Sequence, residues 1–249
     1  NNNDRKDLDK TITYEALQQI EEHNEQQNFS TVVYSETWHK GVIGIVASRL
    51  IETYYRPTLV FTKSGDKLAA SARSVKGFDV YNALEACSEF IEQFGGHKYA
   101  AGLTLKEKDY KNFKKKFEEV VKKTLPEELR TPEISIDTEI SLTEITPKFF
   151  RIMNQLAPFG PQNMRPVFMA SGLRDNGYGK KVGEDETHLK LNIFEGSNKA
   201  TFNAIGFSMG DKYPIVQNGK SFKVTFNIDE NHWNGNTSLQ LLLKDLQEE

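Results

Sequence analysis

The stretch "STVVYSETWHKGVIGIVASRLIETYYRPTLVFT", Ser30 to Thr62, decides the fold. Its ends, "STVVYS" and "TLVFT", are short β-branched runs, and its middle, "GVIGIVASRLIETYY", carries apolar residues at helical spacing. The alternation continues on both sides. "TITYEALQQIEEHNEQQ" (Thr11 to Gln27) reads as a helix opening at Thr11, and "LAASARS" as a strand. "DVYNALEACSEFIEQF" and "DYKNFKKKFEEVVKKTL" read as two further helices. Strands separated by helices of this length predict an α/β layer with a mixed sheet and flanking helices.

Beyond "LPEELRTPEISID" the texture changes. Pro126 and Pro132 bracket a linker, and after Phe168 short strands dominate. In "HLKLNIFE" Leu189, Leu191 and Ile193 alternate with His188, Lys190 and Asn192. In "FKVTFNI" Phe222, Val224, Phe226 and Ile228 alternate with Lys223, Thr225 and Asn227. A hairpin turn at Asn234-Gly235, with Trp233 as its plug, leads to a last strand. Such strands around one core predict a small antiparallel barrel of the OB type. The domains are therefore expected at 29–130 and 131–249, with 1–28 as a separate leading helix.

With 249 residues the chain is long enough for two cores, and its net charge of -3 neither demands nor excludes a nucleic-acid partner. The single cysteine, Cys87, rules out an internal disulfide, fits a reducing cytoplasm, and stands among apolar helix positions as a buried, inert thiol. No apolar run approaches a membrane span, so no membrane partner is expected. "NNNDRKDLDK" has no hydrophobic segment of the signal-peptide kind and reads as a cut inside a longer protein.

Three segments carry chemistry. In "WHKGVIGIVASR" Gly41 and Gly44 open a helix N-terminus that favours a phosphate, and Arg49 can fork onto its oxygens. Tight packing with Arg49 on a solvated face is the alternative. In "LAASARSVKGFDV" Ser71 and Arg73 share one strand face, as a phosphate contact or as an ordinary surface pair. In "FGGHKYAAGL" (Phe94 to Leu103) Gly95 and Gly96 allow a close backbone approach to a ligand or a neighbouring strand beside His97. His39, His97, His188 and His232 have no metal-ligand spacing, so no metal site is expected in this chain.

In this order, "WHKGVIGIVASRL", "SARSVKGFDV" and "GGHKYAAGL" resemble the DHHA1 domain of the RecJ-like single-strand-specific exonucleases, in the DHH/DHHA1 phosphoesterase superfamily. "LAPFGPQNMRPVF", "HLKLNIFE" and "NHWNGNTSLQLLLKD" resemble that family's OB domain, and "NNNDRKDLDK" resembles the end of its interdomain helix. The resemblance implies a 5′-to-3′ exonuclease of DNA repair and recombination. Its two Mn2+ or Mg2+ ions would sit in a DHH domain whose Asp-His-His triplet this sequence lacks. It implies that His97 acts at the scissile phosphate, and that Arg49, Ser71, Arg73, Gly95, Gly96 and His39 grip phosphates. Lys190 and Lys223 would line a strand groove on the OB domain, although stacking aromatics are not evident there. Implied partners are single-stranded DNA, the DHH domain, and a helicase or single-strand-binding protein. A DHHA1 phosphodiesterase of short oligonucleotides or cyclic dinucleotides, an alanyl-tRNA synthetase-like module and a stand-alone DNA-binding module are the alternatives. The first two lack an OB module.

Overall fold

The computed structural model describes residues 2–160, 162–196, 201–233 and 235–249. These form two compact units that meet in sequence at Pro132 and Glu133.

The first unit opens with helix α1 (Asn2–Glu22). It is already helical nine residues before the expected start at Thr11, whose hydroxyl donates to the Asp7 carbonyl inside the helix. It stops short of Gln27 because Asn24 takes a left-handed φ of 56°, a common helix ending. Strand β1 (Thr31–Tyr34) leads through helix α2 (Ile43–Thr53) to strand β2 (Thr58–Ser64), which lies parallel to β1. Strand β3 (Lys67–Arg73), helix α3 (Val80–Glu85), strands β4 (Gln93–His97) and β5 (Ala100–Lys106), and helix α4 (Tyr110–Thr124) follow. The sheet order is β1-β2-β3-β5-β4, mixed as the sequence predicts.

One expected helix is largely absent. The segment 79–94 stays helical only to Glu85, and its end becomes β4, because Gln93 to His97 pair with β5 in a hairpin. Cys87 is fully buried, and burial pushes its thiol up to about 11.

Helices cover the sheet on both faces. On one, α4 supplies Phe113, Phe117 and Val121, spaced i, i+4, i+8, against Phe61 and Leu105. On the other, Ile12, Ala16 and Ile20 of α1 pack with Val46, Ala47 and Leu50 of α2 over Val60.

The second unit contains β6 (Thr138–Glu139), α5 (Pro147–Met153), β7 (Phe168–Asp175), β8 (Lys180–Val182), β9 (His188–Glu195) and β10 (Thr201–Gly206). Helix α6 (Tyr213–Gln217) and the long strands β11 (Phe222–Trp233) and β12 (Asn236–Glu248) complete it. The sheet order is β6-β7-β11-β12-β10-β9-β8, and β7 also pairs with β9. The sheet is mixed, not wholly antiparallel: β10 runs parallel to β12, and β6 to β7. The chain passes through α6 and β11 before β12 returns beside β10, and that crossover makes the pair parallel. Phe168, Leu191, Phe222, Phe226 and Leu241 centre the core. Trp233 pairs with Asn236 across the hairpin, and Gly235 has φ 77°. Asn234 and the Trp233 side chain lie outside the described residues.

Candidate nucleic-acid interface

Strand alternation sorts β3 into two sets. Leu68, Ala70 and Ala72 enter the core beneath α4, while Ser71 and Arg73 turn to the face on which α2 packs. On β5 and β4 that face is open: Gly102, Gln93 and Gly95 are exposed. The register sets Val60, Ser71, Gly102 and Gly95 in one cross-strand row. Thr58, Arg73, Ala100 and His97 form the row two residues along. Arg73 and His97 are thus two strands apart, about 10 Å between backbones, and flank one small side chain.

Small residues make this face a trough of about 760 Å³, lined by Ala69, Gly95, Gly102 and Thr104 and edged by Lys40. Its acid, Glu92, is matched by Lys67 at 2.5 Å and Lys106 at 3.6 Å. The Lys67 hydrogen bond holds that carboxyl below its usual range despite partial desolvation, and Lys106 adds to the effect.

Ser71 and Arg73 meet α2 at Gly44. A Cβ there would stand 2.9 Å from Arg73 Nη2 and 3.0 Å from Ser71 Oγ, so only glycine leaves both groups in place. Arg73 Nη1 donates to Ser71 Oγ at 3.1 Å and to the Ala72 carbonyl at 2.8 Å, which fixes the guanidinium. The adjacent N-terminus of α2 has no side-chain cap. His97 Nδ1 accepts the Tyr99 backbone N–H at 3.3 Å. In the neutral ring the proton is therefore on Nε2, which is left as a donor for a ligand.

The two glycines before His97 differ. A Cβ on Gly95 would meet nothing within 4 Å, so that residue opens the trough. Gly96 has φ 147°, and a Cβ on it would lie 2.3 Å from the Ala100 carbonyl oxygen and 2.6 Å from Ala101 Cα. The hairpin itself requires glycine at position 96.

Arg49 does not join this group. Its Nε donates to Asp9 Oδ2 at 2.6 Å, tying α2 to α1, with the carboxylate only 5% exposed and the arginine 44%. His39 turns back on its own loop, where Nδ1 accepts the Gly41 N–H at 3.1 Å.

A second polar pocket, of about 380 Å³, lies on the second unit. Asp175 builds its rim: the carboxylate accepts the N–H groups of Gly177 and Gly179, each at 2.8 Å, and of Asn192 at 2.9 Å. That loop presents Tyr178, 76% exposed, beside Lys180, Lys190 and Asn203. Asn176 donates to Asn192, which donates to Asn203 at 2.9 Å, forming an amide chain along the pocket. Lys190 lines this pocket. Lys223 does not line it, standing opposite Gln247 on β11 and β12. Asn227 is buried and donates to the Pro166 carbonyl at 2.6 Å, contrary to its expected exposure. Lys40, Tyr178, Lys180 and Asn203 were not singled out from sequence. For Tyr178 a signal existed: an aromatic ring between two glycines in a polar turn.

Metal chemistry does not fit these sites. Among the described residues no three His, Cys, Asp or Glu side chains converge as a metal cluster, and Glu92 is held by two lysines. No described helix is long and apolar enough to cross a membrane.

Residues 27–123 match the DHHA1 domain family, and residues 136–245 the RecJ OB domain family. The single-stranded-DNA-specific exonuclease RecJ of Bacillus subtilis is 32% identical over 98% of this chain and 31% of its own length. Crystal structures of RecJ from Thermus thermophilus in complex with Mg2+ and with Mn2+ each match 100% of the chain with a TM-score of 0.77. Their identities are 24% and 25%, and the matches cover 36% and 35% of those chains. The chain thus spans about a third of these relatives. The chain carries a DHHA1 domain match followed by a RecJ OB domain match, and it matches the C-terminal region of RecJ.

Proposed function

We propose that the chain is the substrate-holding part of a 5′-to-3′ single-stranded-DNA exonuclease. The observation that carries this reading is that Ser71, Arg73 and His97 share one sheet face, covered by α2 over β3 and open over β5 and β4 beside Gly95. A phosphodiester laid across the Arg73–Ala100–His97 row, next to the trough, receives a pre-set guanidinium and hydroxyl from one side and an imidazole N–H from the other. These donors act on a phosphate whose charge grows during cleavage, where fixed donors count most. Two Mn2+ or Mg2+ ions, held by a DHH domain, would supply the activated water. The residues here bind and orient the strand. Domain limits of 29–130 and 131–249, with 1–28 as the end of the connecting helix, belong to the same proposal.

The second unit acts as the strand platform. The β7–β9 pairing returns the sheet on itself, which supports a closed OB barrel. In this reading Tyr178 stacks a base while Lys180 and Lys190 face the backbone. The RecJ OB match favours this activity over the OB-less phosphodiesterases and synthetase-like modules. With labelled single strands and Mn2+ or Mg2+, the purified chain is expected to bind without hydrolysis. Nucleotide release that co-elutes with the chain and disappears in His97→Ala would overturn this division of labour.

A further inference from the structure

A pocket of about 400 Å³ opens elsewhere on the first unit, between the turn after α1, the end of α2 and the segment after α4. Phe29, Tyr54, Arg56 and Arg130 line it. Each guanidinium carbon sits over an aromatic ring, Arg56 at 4.8 Å from the Tyr54 centroid and Arg130 at 4.7 Å from the Phe29 centroid. Lys122 approaches Phe29 at 5.6 Å. A cation–π contact of this kind holds a guanidinium without neutralising it.

The local acids are already engaged. Glu118 accepts the N–H groups of Phe29 and Ser30, each at 2.8 Å, together with the Ser30 hydroxyl. Glu25 pairs with Lys114 at 2.6 Å. Arg56 gives Nε to Thr31 and Nη1 to the Gln26 and Asn28 carbonyls, which holds the turn, yet its buried Nη2 has no partner. Arg130 makes one described hydrogen bond, to the Leu125 carbonyl at 3.2 Å, and no carboxylate pairs with it among the described residues. A structural role accounts for Nε and Nη1 of Arg56. It does not account for Arg130, a second guanidinium beside the same cavity with no carboxylate partner among the described residues.

We propose that this pocket binds a phosphate group, at a site separate from the trough. Arg130 supplies forked donors to the phosphate oxygens, Arg56 adds positive charge from the pocket wall, and Lys122 adds charge at the rim. The phosphate comes either from a single strand passing over this face or from a free mononucleotide.

The test uses the whole chain carrying Ser71→Ala and Arg73→Ala, so that trough binding is silenced. Thermal stability is followed against inorganic phosphate, deoxyadenosine 5′-monophosphate and a single-stranded oligonucleotide. Saturable stabilisation is expected, following RT ln(1 + [L]/Kd). Adding Arg130→Gln or Lys122→Gln should weaken the apparent affinity, Arg130→Gln by about tenfold or more. Stabilisation by all three ligands identifies a free-phosphate site, and stabilisation by the oligonucleotide alone identifies a strand site. No saturable response, or an undiminished response in both added variants, would overturn the proposal. That result would leave the trough reading intact, because the trough is already disabled.

Discussion

Arg73 and His97 stand in one cross-strand row with Ala100 between them, on one sheet face that α2 covers at β3, beside Arg73, and leaves open at β5 and β4, beside His97. A small central residue between two donors leaves room for a phosphate. Replacing Ala100 by Leu should therefore weaken single-strand binding while leaving the urea midpoint within about 0.5 kcal/mol of wild type, as for a surface substitution. Anisotropy titration alongside urea unfolding checks both.

The glycine pair should separate binding from stability. Gly95→Ala places a methyl group in open space and is expected to fold normally but bind single strands less tightly. Gly96→Ala meets backbone at 2.3 Å and should destabilise the unit by about 1–3 kcal/mol. Urea midpoints of the two variants give the comparison; equal midpoints would contradict it.

Arg49 should behave as a tether. Arg49→Ala strands a buried Asp9 carboxylate, and after discounting for the arginine's exposure the cost is about 1–3 kcal/mol. Asp9→Asn with Arg49→Gln should recover part of it. If Arg49→Ala left stability unchanged and abolished DNA binding, the phosphate role implied by the family resemblance would be correct instead.

Cys87 should mark the core and its pH response. Its thiol is pushed above the ordinary value to about 11, so the folded state favours the neutral form. That stability is complete below the unfolded pKa near 9 and is lost as pH rises towards 11, at most about 2–3 kcal/mol. The urea midpoint should fall more steeply over that range in wild type than in Cys87→Ala. Thiol reagents at pH 8 should modify only unfolded chain.

The α/β layer was legible because Ser30 to Thr62 carries strand, helix and strand periodicity without interruption. The 79–94 segment was not, since Val80, Ala83, Leu84 and Cys87 keep a helical phase while the pairing that claims Phe94 comes from β5. The Arg49–Asp9 pair was not legible because its two members lie forty residues apart on different helices, where no local pattern points to it. Asn227 keeps the outward phase of β11 but is covered by the Arg165–Pro166 segment, whose carbonyls it bonds, and no pattern within the strand shows that cover. Ser71, Arg73 and His97 were visible as residues, but their meeting on one face depends on strand register.

Tyr178 should contribute as a stacking platform. Tyr178→Ala is expected to weaken single-strand binding by about 1–3 kcal/mol, and Asp175→Ala should do the same by freeing the loop that presents it. Lys223→Ala, outside that pocket, should have little effect. The three binding curves at one salt concentration decide it.

The central claim is that Arg73 holds a strand phosphate beside the trough, and salt dependence tests it most directly. Binding of a short 5′-phosphorylated single strand to wild type and Arg73→Ala is measured across a series of salt concentrations. The variant should bind about tenfold more weakly or worse, and the slope of log affinity against log salt should shrink by about 0.7, one phosphate contact. An unchanged affinity with an unchanged slope would show that Arg73 touches no phosphate and would contradict the account.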